Sequence, residues 1–554
     1  MSKTKTYWKG YAEKNKTPEF LNSSQKEFQE KIPVEEFLAE DGIQDLKTGR
    51  RDFLKFMGFS VAAASLASCE APIIKSIPYV NKPEDITPGI ANWYSSTFYD
   101  GNNYANLLVK SREGRPIWLK GKKDGFTKGG LTPAISTSVL NLYNSARLNG
   151  PLKENNQTTW ATVDNEITER LSTISNNNGK IRILSNTVIS PSSKAAIDAF
   201  VEKYASKDES GNISSDVKHI QYDTQSYYGI RKANQNAFGS DFIPNYHFDK
   251  AKTIVSIGAD FLSSWLMPTK FSIDYSVSRK PENGWMSKHF QFESNFTLSG
   301  ANADYRARIK PSEELAVVEA LLNELRGNSS SSSFSKDTNA KLYEAVNALK
   351  KSKGSSLVIS GSNDYRVQMV VNKINFILGN YGETINHVET LNLFQGNDSE
   401  VEELTNDLVK GNVDALIVYD CNPVYSLPNG ASVGEAISGN TDMLKVSLSE
   451  YADETAVCCQ YVCPNHNYLE SWNDFEAING HVSLQQPTIR PLYNTRQAQE
   501  SFLVWSGQTE RGSSESKAYY NFIRSNWKAR GFSEQDDHMS FDDFWNWSVH
   551  NGYT

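Results

Sequence analysis

The densest group of metal-capable side chains in this sequence is Cys458-Cys459, followed by Cys463 and His466. Thiolates and an imidazole so close together invite a zinc reading. Zinc sites, however, favour a Cys-x2–4-Cys pair matched by a second pair elsewhere. The run Gln460–Cys463, which precedes Pro464, reads as a buried strand, and a structural role is the main expectation for these cysteines. Five cysteines in 554 residues make no disulfide framework, although one bridge among those outside the leader stays open in an oxidising compartment. His466 and His481 read as hydrogen-bonded loop histidines. Glu313-Glu314 falls at a helix start, where acidic groups favour the dipole, and no carboxylate pair suggests glycoside hydrolysis. GxGxxG, GxxxxGK[ST] and GxSxG are all absent, which leaves nicotinamide binding, P-loop chemistry and the hydrolase elbow unsupported.

A different kind of chemistry is expected at Cys69. The segment Thr48-Gly49-Arg50-Arg51-Asp52-Phe53-Leu54-Lys55 has the twin-arginine pattern read by the transporter of folded proteins, with Arg50, Arg51, Phe53, Leu54 and Lys55 as its signature. Twelve uncharged residues, Phe56 to Ala67, follow, a signal-peptide length too short to span a bilayer. They lead into Leu66-Ala67-Ser68-Cys69, the small residues before a cysteine that form a lipobox. Acylation at Cys69 would anchor the chain, since two or three acyl chains hold firmly where one does not. A plain buried cysteine is the alternative. Forty-nine residues precede Arg50 and carry Tyr7-Trp8-Lys9-Gly10 and Thr17-Pro18-Glu19-Phe20, as in an extended leader rather than a polar tail.

The remaining sequence must supply elements to place such groups. Composition is globular, 38% apolar and 22% charged, and the net charge of −8 comes without a basic tract, which argues against nucleic-acid binding. No apolar run reaches 18 residues, so no spanning helix is expected. After a Pro-rich linker, short strands are expected at Ala105–Lys110 and Pro116–Lys120, and a helix at Ser138–Ala146. Strands then alternate with helices: Ile181–Leu184 with a loop at Ser190-Pro191-Ser192-Ser193 and a helix through Lys203, Thr253–Ile257, a helix over Glu313–Leu325, Leu357–Ser360 with a helix over Tyr365–Leu378, Ala415–Tyr419, Leu444–Leu448 and Gln460–Cys463. A Ser-rich break covers Asn328–Ser335. Apolar strand, small-residue turn and helix in repetition is an α/β pattern of doubly wound parallel sheets. The expected division is a leader over 1–69, the linker over 70–92, a small β-rich region over 93–151, α/β lobes over 152–505, and an incomplete C-terminal segment over 506–554.

Several stretches resemble the large subunit of the molybdopterin (dimethyl-sulfoxide-reductase-type) oxidoreductases. They are Ser256-Ile257-Gly258-Ala259-Asp260-Phe261-Leu262 with Trp265 and Pro268, Asp414–Val418 running into Asn422-Pro423-Val424-Tyr425, and Asp453-Glu454-Thr455-Ala456. Farther on come Cys463-Pro464-Asn465-His466, Leu469-Glu470-Ser471-Trp472-Asn473-Asp474, Gly480-His481 and Gln485-Gln486-Pro487. With Ser299-Gly300-Ala301-Asn302-Ala303-Asp304 and the leader, the likeness is closer to the B subunit of alternative complex III, a quinol:electron-acceptor oxidoreductase.

That resemblance implies strand-end turns around two pterin nucleotides. It also implies an iron–sulfur cluster held by four cysteinates. In this chain the corresponding segments read Ser96–Tyr104 and Gly130–Ala134, without a cysteine, and hydroxyl or amide groups do not replace thiolates. For the metal ligand, the resemblance leaves Asp223 or Ser226, with ordinary turn residues as the alternative. The expectation is therefore no catalytic, cofactor or metal residue on this chain and a vestigial pterin site. Haem and iron–sulfur clusters are expected on partner subunits or on a missing C-terminal region. Quinol-oxidising membrane subunits, haem c subunits and a ferredoxin-like region would be partners, at the periplasmic face of the inner membrane, with lipid anchoring. The alternatives are an active molybdopterin enzyme lacking its proximal cluster, and a non-redox envelope lipoprotein binding a solute. The aromatics Trp527, Phe541, Phe544, Trp545 and Trp547 read as core rather than as an interaction surface.

Overall fold

Residues 18 and 87 apart, the computed structural model describes residues 89–554, except 207–213, 215, 329–333, 511–515, 531 and 533–539. Arg50, Arg51, Phe53, Leu54, Lys55 and Cys69 lie outside the described residues, as does most of the linker.

Two parallel sheets carry the molecule. Their strands are five-residue apolar runs such as Ile181–Ser185, Thr253–Ile257, Ser356–Ser360 and Ala415–Tyr419, buried at every position. Side chains buried on both faces of a sheet leave no reason for polar alternation. The larger sheet has seven strands in the order Asn156–Gln157, Leu152–Lys153, Tyr461–Val462, Leu444–Ser447, Ala415–Tyr419, Ile181–Ser185, Val217–Gln221. The last five run parallel, and the first two form an antiparallel edge hairpin. The second sheet, inserted between Val217–Gln221 and Ala415–Tyr419 in sequence, orders Tyr305–Arg308, Lys288–Glu293, Thr253–Ile257 and Ser356–Ser360, all parallel.

Two antiparallel sheets complete the described fold. One pairs Asn92–Tyr99, Tyr104–Arg112 and Arg115–Gly121; the other orders His481–Gln485, Asn473–Ile478, Ile385–Leu391 and Ile243–Tyr246. The expected class, doubly wound α/β lobes with a small β-rich N-terminal region, is the observed one.

The helix Tyr365–Leu378 matches its expected bounds, capped by Asp364 and closed by Gly379 at φ 70°. Three local expectations change. Ser138–Ala146 is not an α-helix: Thr132 caps a turn at Pro133–Thr137 that continues as a 3-10 segment only to Tyr143. Pro191–Ser193 belong to the helix Pro191–Tyr204, not to a loop, because the Ser190 side chain accepts from the Ser193 amide and starts the helix there. Ser335 lies at the end of the expected Ser-rich break and caps a further helix, Lys336–Lys351, whose buried Leu342, Ala345, Val346 and Leu349 follow helical spacing. Near the C-terminus, Trp527, Phe544 and Trp545 are buried with Tyr519, Ile523 and Leu484, while Trp547 is exposed. Core packing is thus the main role of those aromatics.

Candidate functional site: the crevice at the strand-order switch

The chain leaves Ile181–Ser185 toward Val217–Gln221 and leaves Ala415–Tyr419 toward Leu444–Ser447, on the opposite side. Where winding reverses, the two following loops splay apart and open a crevice beyond the carboxyl ends of the strands. The first loop begins at Asn186, the second at Asp420, which sits at φ 54°. They are bridged by a hydrogen bond from Asn186 Nδ2 to Asp420 Oδ2, 3.0 Å. The Asp100–Asn103 turn of the N-terminal sheet forms one wall. Gly101, at φ 90°, packs so closely on Asn186 that a Cβ there would lie 2.5 Å from its Nδ2, so the turn requires glycine. Tyr99 donates its hydroxyl to the Thr187 carbonyl at 2.7 Å.

The cavity so formed is about 190 Å³ and is walled by aromatic, amide and hydroxyl groups together with Asp100, Asp420 and Glu450; among the described residues no lysine or arginine lines it. Burial pushes Asp420 up to about 6, opposed by the Asn186 hydrogen bond and reinforced by Asp100. Burial also pushes Glu450 up to about 7, opposed by the charge of Arg147. Asp100 is raised by burial against the bonds it accepts from Asn102 and Asn103. His466, on the same wall, is pushed down to about 4 by burial and is neutral. Its Nδ1 lies 2.6 Å from Thr495 Oγ1. Burial thus brings two carboxyl groups of this wall closer to neutral pH than a free carboxyl lies.

The helix Pro191–Tyr204 points its N-terminus at this region, and helix N-termini attract phosphate through their free amides and dipole. Here the place is filled from within the chain. Asp474, 1% exposed, accepts from Ser190 Oγ at 2.6 Å, from the Ser192 amide at 3.1 Å, from Ser192 Oγ at 2.6 Å and from Trp527 Nε1 at 2.9 Å.

The groups singled out in the sequence fall as follows. The two segments corresponding to cluster ligands do meet, but through Thr132 Oγ1 donating to Asn103 Oδ1 at 3.3 Å. Asp223 and Ser226 act in turns. Asp223 accepts from Thr187 Oγ1 and the Gly396 amide, both at 2.7 Å, and Ser226 donates to Asp398 at 2.8 Å while accepting from the Tyr228 amide. The Asn-Pro and Asp-Glu-Thr turns meet at the strand ends, where Thr455 Oγ1 donates to Asn422 Oδ1 and Asn422 Nδ2 to Glu454, each at 2.7 Å.

Cys421, Cys458, Cys459 and Cys463 are all free thiols. Cys463 is buried in the core of the larger sheet, and burial raises Cys459 to about 12. Among the described residues, no three His, Cys, Asp or Glu side chains are arranged to hold a metal ion. His481 is not a loop histidine: it opens the strand His481–Gln485 and packs on Phe126 at 4.9 Å between ring centroids. Glu313 starts its helix as expected, accepting from the Lys310 amide at 2.8 Å. Sequence reasoning passed over Asn186, Glu450 and the part played by Asp474. The order of strand-end loops after apolar runs was the signal for the first two.

These residues do not fit a pterin nucleotide. Pockets for ligands far smaller than two such nucleotides occupy about 300–1,000 Å³. A phosphate-bearing group needs cations or free amides, whereas three carboxylates and an internally capped helix meet it here.

No family model matches the chain. It is 24% identical over 528 residues to the menaquinone reductase molybdopterin-binding-like subunit of Nitratidesulfovibrio vulgaris, covering 83% of this chain and 72% of that one. Its fold is that of acetylene hydratase from Pelobacter acetylenicus, with TM-score 0.53 and 12% identity over 75% of this chain and 69% of the other. The resemblance to the molybdopterin oxidoreductases therefore holds for the fold and for most of the chain's length.

Proposed function

We propose that this chain is a subunit of a membrane-associated quinol oxidoreductase complex, in which a molybdopterin-type body serves as a scaffold and holds no pterin or metal. The assignment to a quinone-linked complex draws on the similarity to the menaquinone reductase subunit. The scaffold role is carried by one observation: Asp474 fills the helix N-terminus beside a cavity lined by carboxylates and, among the described residues, by no lysine or arginine. A body of this kind presents surfaces to its neighbours, and the electrons travel through them.

In this reading the assembly is of the alternative complex III type, with quinol-oxidising membrane subunits, haem c subunits and a ferredoxin-like iron–sulfur component. The chain is exported through the Arg50-Arg51 signal, is lipid-anchored at Cys69, and stands on the periplasmic face of the inner membrane. Purification of the native complex tests this, with metal analysis and identification of the bands that accompany the chain. The expected result is haem in the co-purifying bands and molybdenum or tungsten far below stoichiometry. Stoichiometric molybdenum or tungsten on this chain, or isolation of the chain without redox partners, overturns it.

A further inference from the structure

One end of a face of the N-terminal antiparallel sheet, beyond the part that the C-terminal segment covers at Ser95, is exposed and of unusual composition. In its register Trp93 stands opposite Lys110, and Lys110 opposite Trp118. The two indoles are 5.8 Å apart between centroids, with Lys110 Nζ 5.8 Å from each ring. Trp93 is 44% exposed and Trp118 is 50% exposed. Residues two apart on a strand share a face, so Arg112, its register partner Arg115, and Lys120 project on the same side, and all three are exposed. The ion pairs of this region are Lys122 with Asp124, and Lys128 with Asp249 and Asp274. They leave Lys110, Arg112, Arg115 and Lys120 without a carboxylate partner among the described residues. Between Asn92 and Gly130 there are seven cations and three carboxylates, in a chain whose net charge is −8.

The backbone reaches this face at Gly89, beside the Arg112 guanidinium. Gly89 is twenty residues beyond Cys69. Twenty residues span at most about 70 Å when extended, so a lipid at Cys69 keeps the body near the bilayer without orienting it.

We propose that this face seats on anionic phospholipid headgroups and so orients the body on the membrane. The proposal takes the anchored reading of Cys69 as its setting. Indoles settle at the headgroup level of a bilayer, and Lys or Arg beside them gain from acidic lipid. Half-exposed tryptophans alternating with unpaired cations on a sheet face match that environment at both of its chemistries.

The test uses the full chain carrying Cys69→Ser, which cannot be acylated, floated with vesicles of phosphatidylcholine alone or mixed with phosphatidylglycerol. Flotation with the acidic vesicles, weakened by raised salt, is expected. Each cation near an acidic surface is worth roughly fivefold in binding. Arg112→Glu with Lys120→Glu should therefore weaken flotation more than tenfold, and Trp93→Ser with Trp118→Ser should also weaken it. All four positions are exposed, and an unchanged melting temperature confirms that the variants are folded. A folded Cys69→Ser chain that fails to float with acidic vesicles overturns the proposal. So does a charge-reversed variant that floats normally but loses its complex partners, which would assign the face to an acidic protein. The mass of the native chain reports on acylation of Cys69 separately, so a failed anchor and a failed face give different results.

Discussion

At the scale of single residues, Asp474 and Asp420 separate two uses of a buried carboxyl. Asp474 accepts bonds from Ser190, Ser192 and the Trp527 indole. Removing such an acceptor strands those donors at a helix terminus. Asp474→Ala should cost about 3 kcal/mol in urea unfolding, and inorganic phosphate should raise the melting temperature of that variant while leaving the native chain unchanged. Asp420 behaves oppositely. Its folded-state value, raised to about 6, means that the folded chain retains a proton that the unfolded chain has released. The native state therefore loses stability as pH climbs from about 4 through 6. Asp420→Asn is free of that loss, so its melting temperature relative to the native chain should rise across this window and level off above it. A difference that stays flat with pH would show that Asp420 titrates as an ordinary carboxyl.

Elements are held together by pairs far apart in sequence. Arg496 binds Asp164 through two bonds of 2.7 and 2.8 Å, with Trp505 Nε1 donating to the same carboxylate and Trp160 stacked 4.1 Å from the guanidinium. This fastens the helix Trp160–Asn176 to Ala498–Trp505. Breaking a buried pair on one side leaves an uncompensated charge, so Asp164→Ala should lower stability by about 3–5 kcal/mol, read from the urea midpoint. The same distances in sequence explain what was legible. Thr253–Ile257, Ala415–Tyr419 and Tyr365–Leu378 could be read to the residue because a continuous apolar run or a capped periodic stretch declares itself locally. The hairpin of Asn473–Ile478 and His481–Gln485 went unread although Asn479-Gly480 marks its turn, with Gly480 at φ 81°. Asp474 stands in the Leu469–Asp474 motif, but its partner Ser190 lies 284 positions away, and no local pattern carries that information.

Across the whole molecule, the C-terminal helices close the body over the N-terminal sheet. Asn551 accepts from Ser95 Oγ at 3.0 Å, the Gly552 carbonyl from the Leu484 amide at 2.9 Å, and the Thr554 amide donates to Val482 at 2.9 Å. Trp545 is buried against Trp527 and Trp472. Truncating it to alanine should cost about 3–5 kcal/mol and, through Ser95, loosen the first strand. Hydrogen exchange at the Asn92–Tyr99 amides should then accelerate.

The carboxylate lodged at the start of Pro191–Tyr204 has one more consequence. A protein that binds an external anion at such a point is stabilised in proportion to how much of that anion surrounds it. Here the counter-ion is covalently part of the chain, present at unit stoichiometry from the moment of synthesis. The start of this helix is therefore satisfied without an external anion, whatever the supply of that anion.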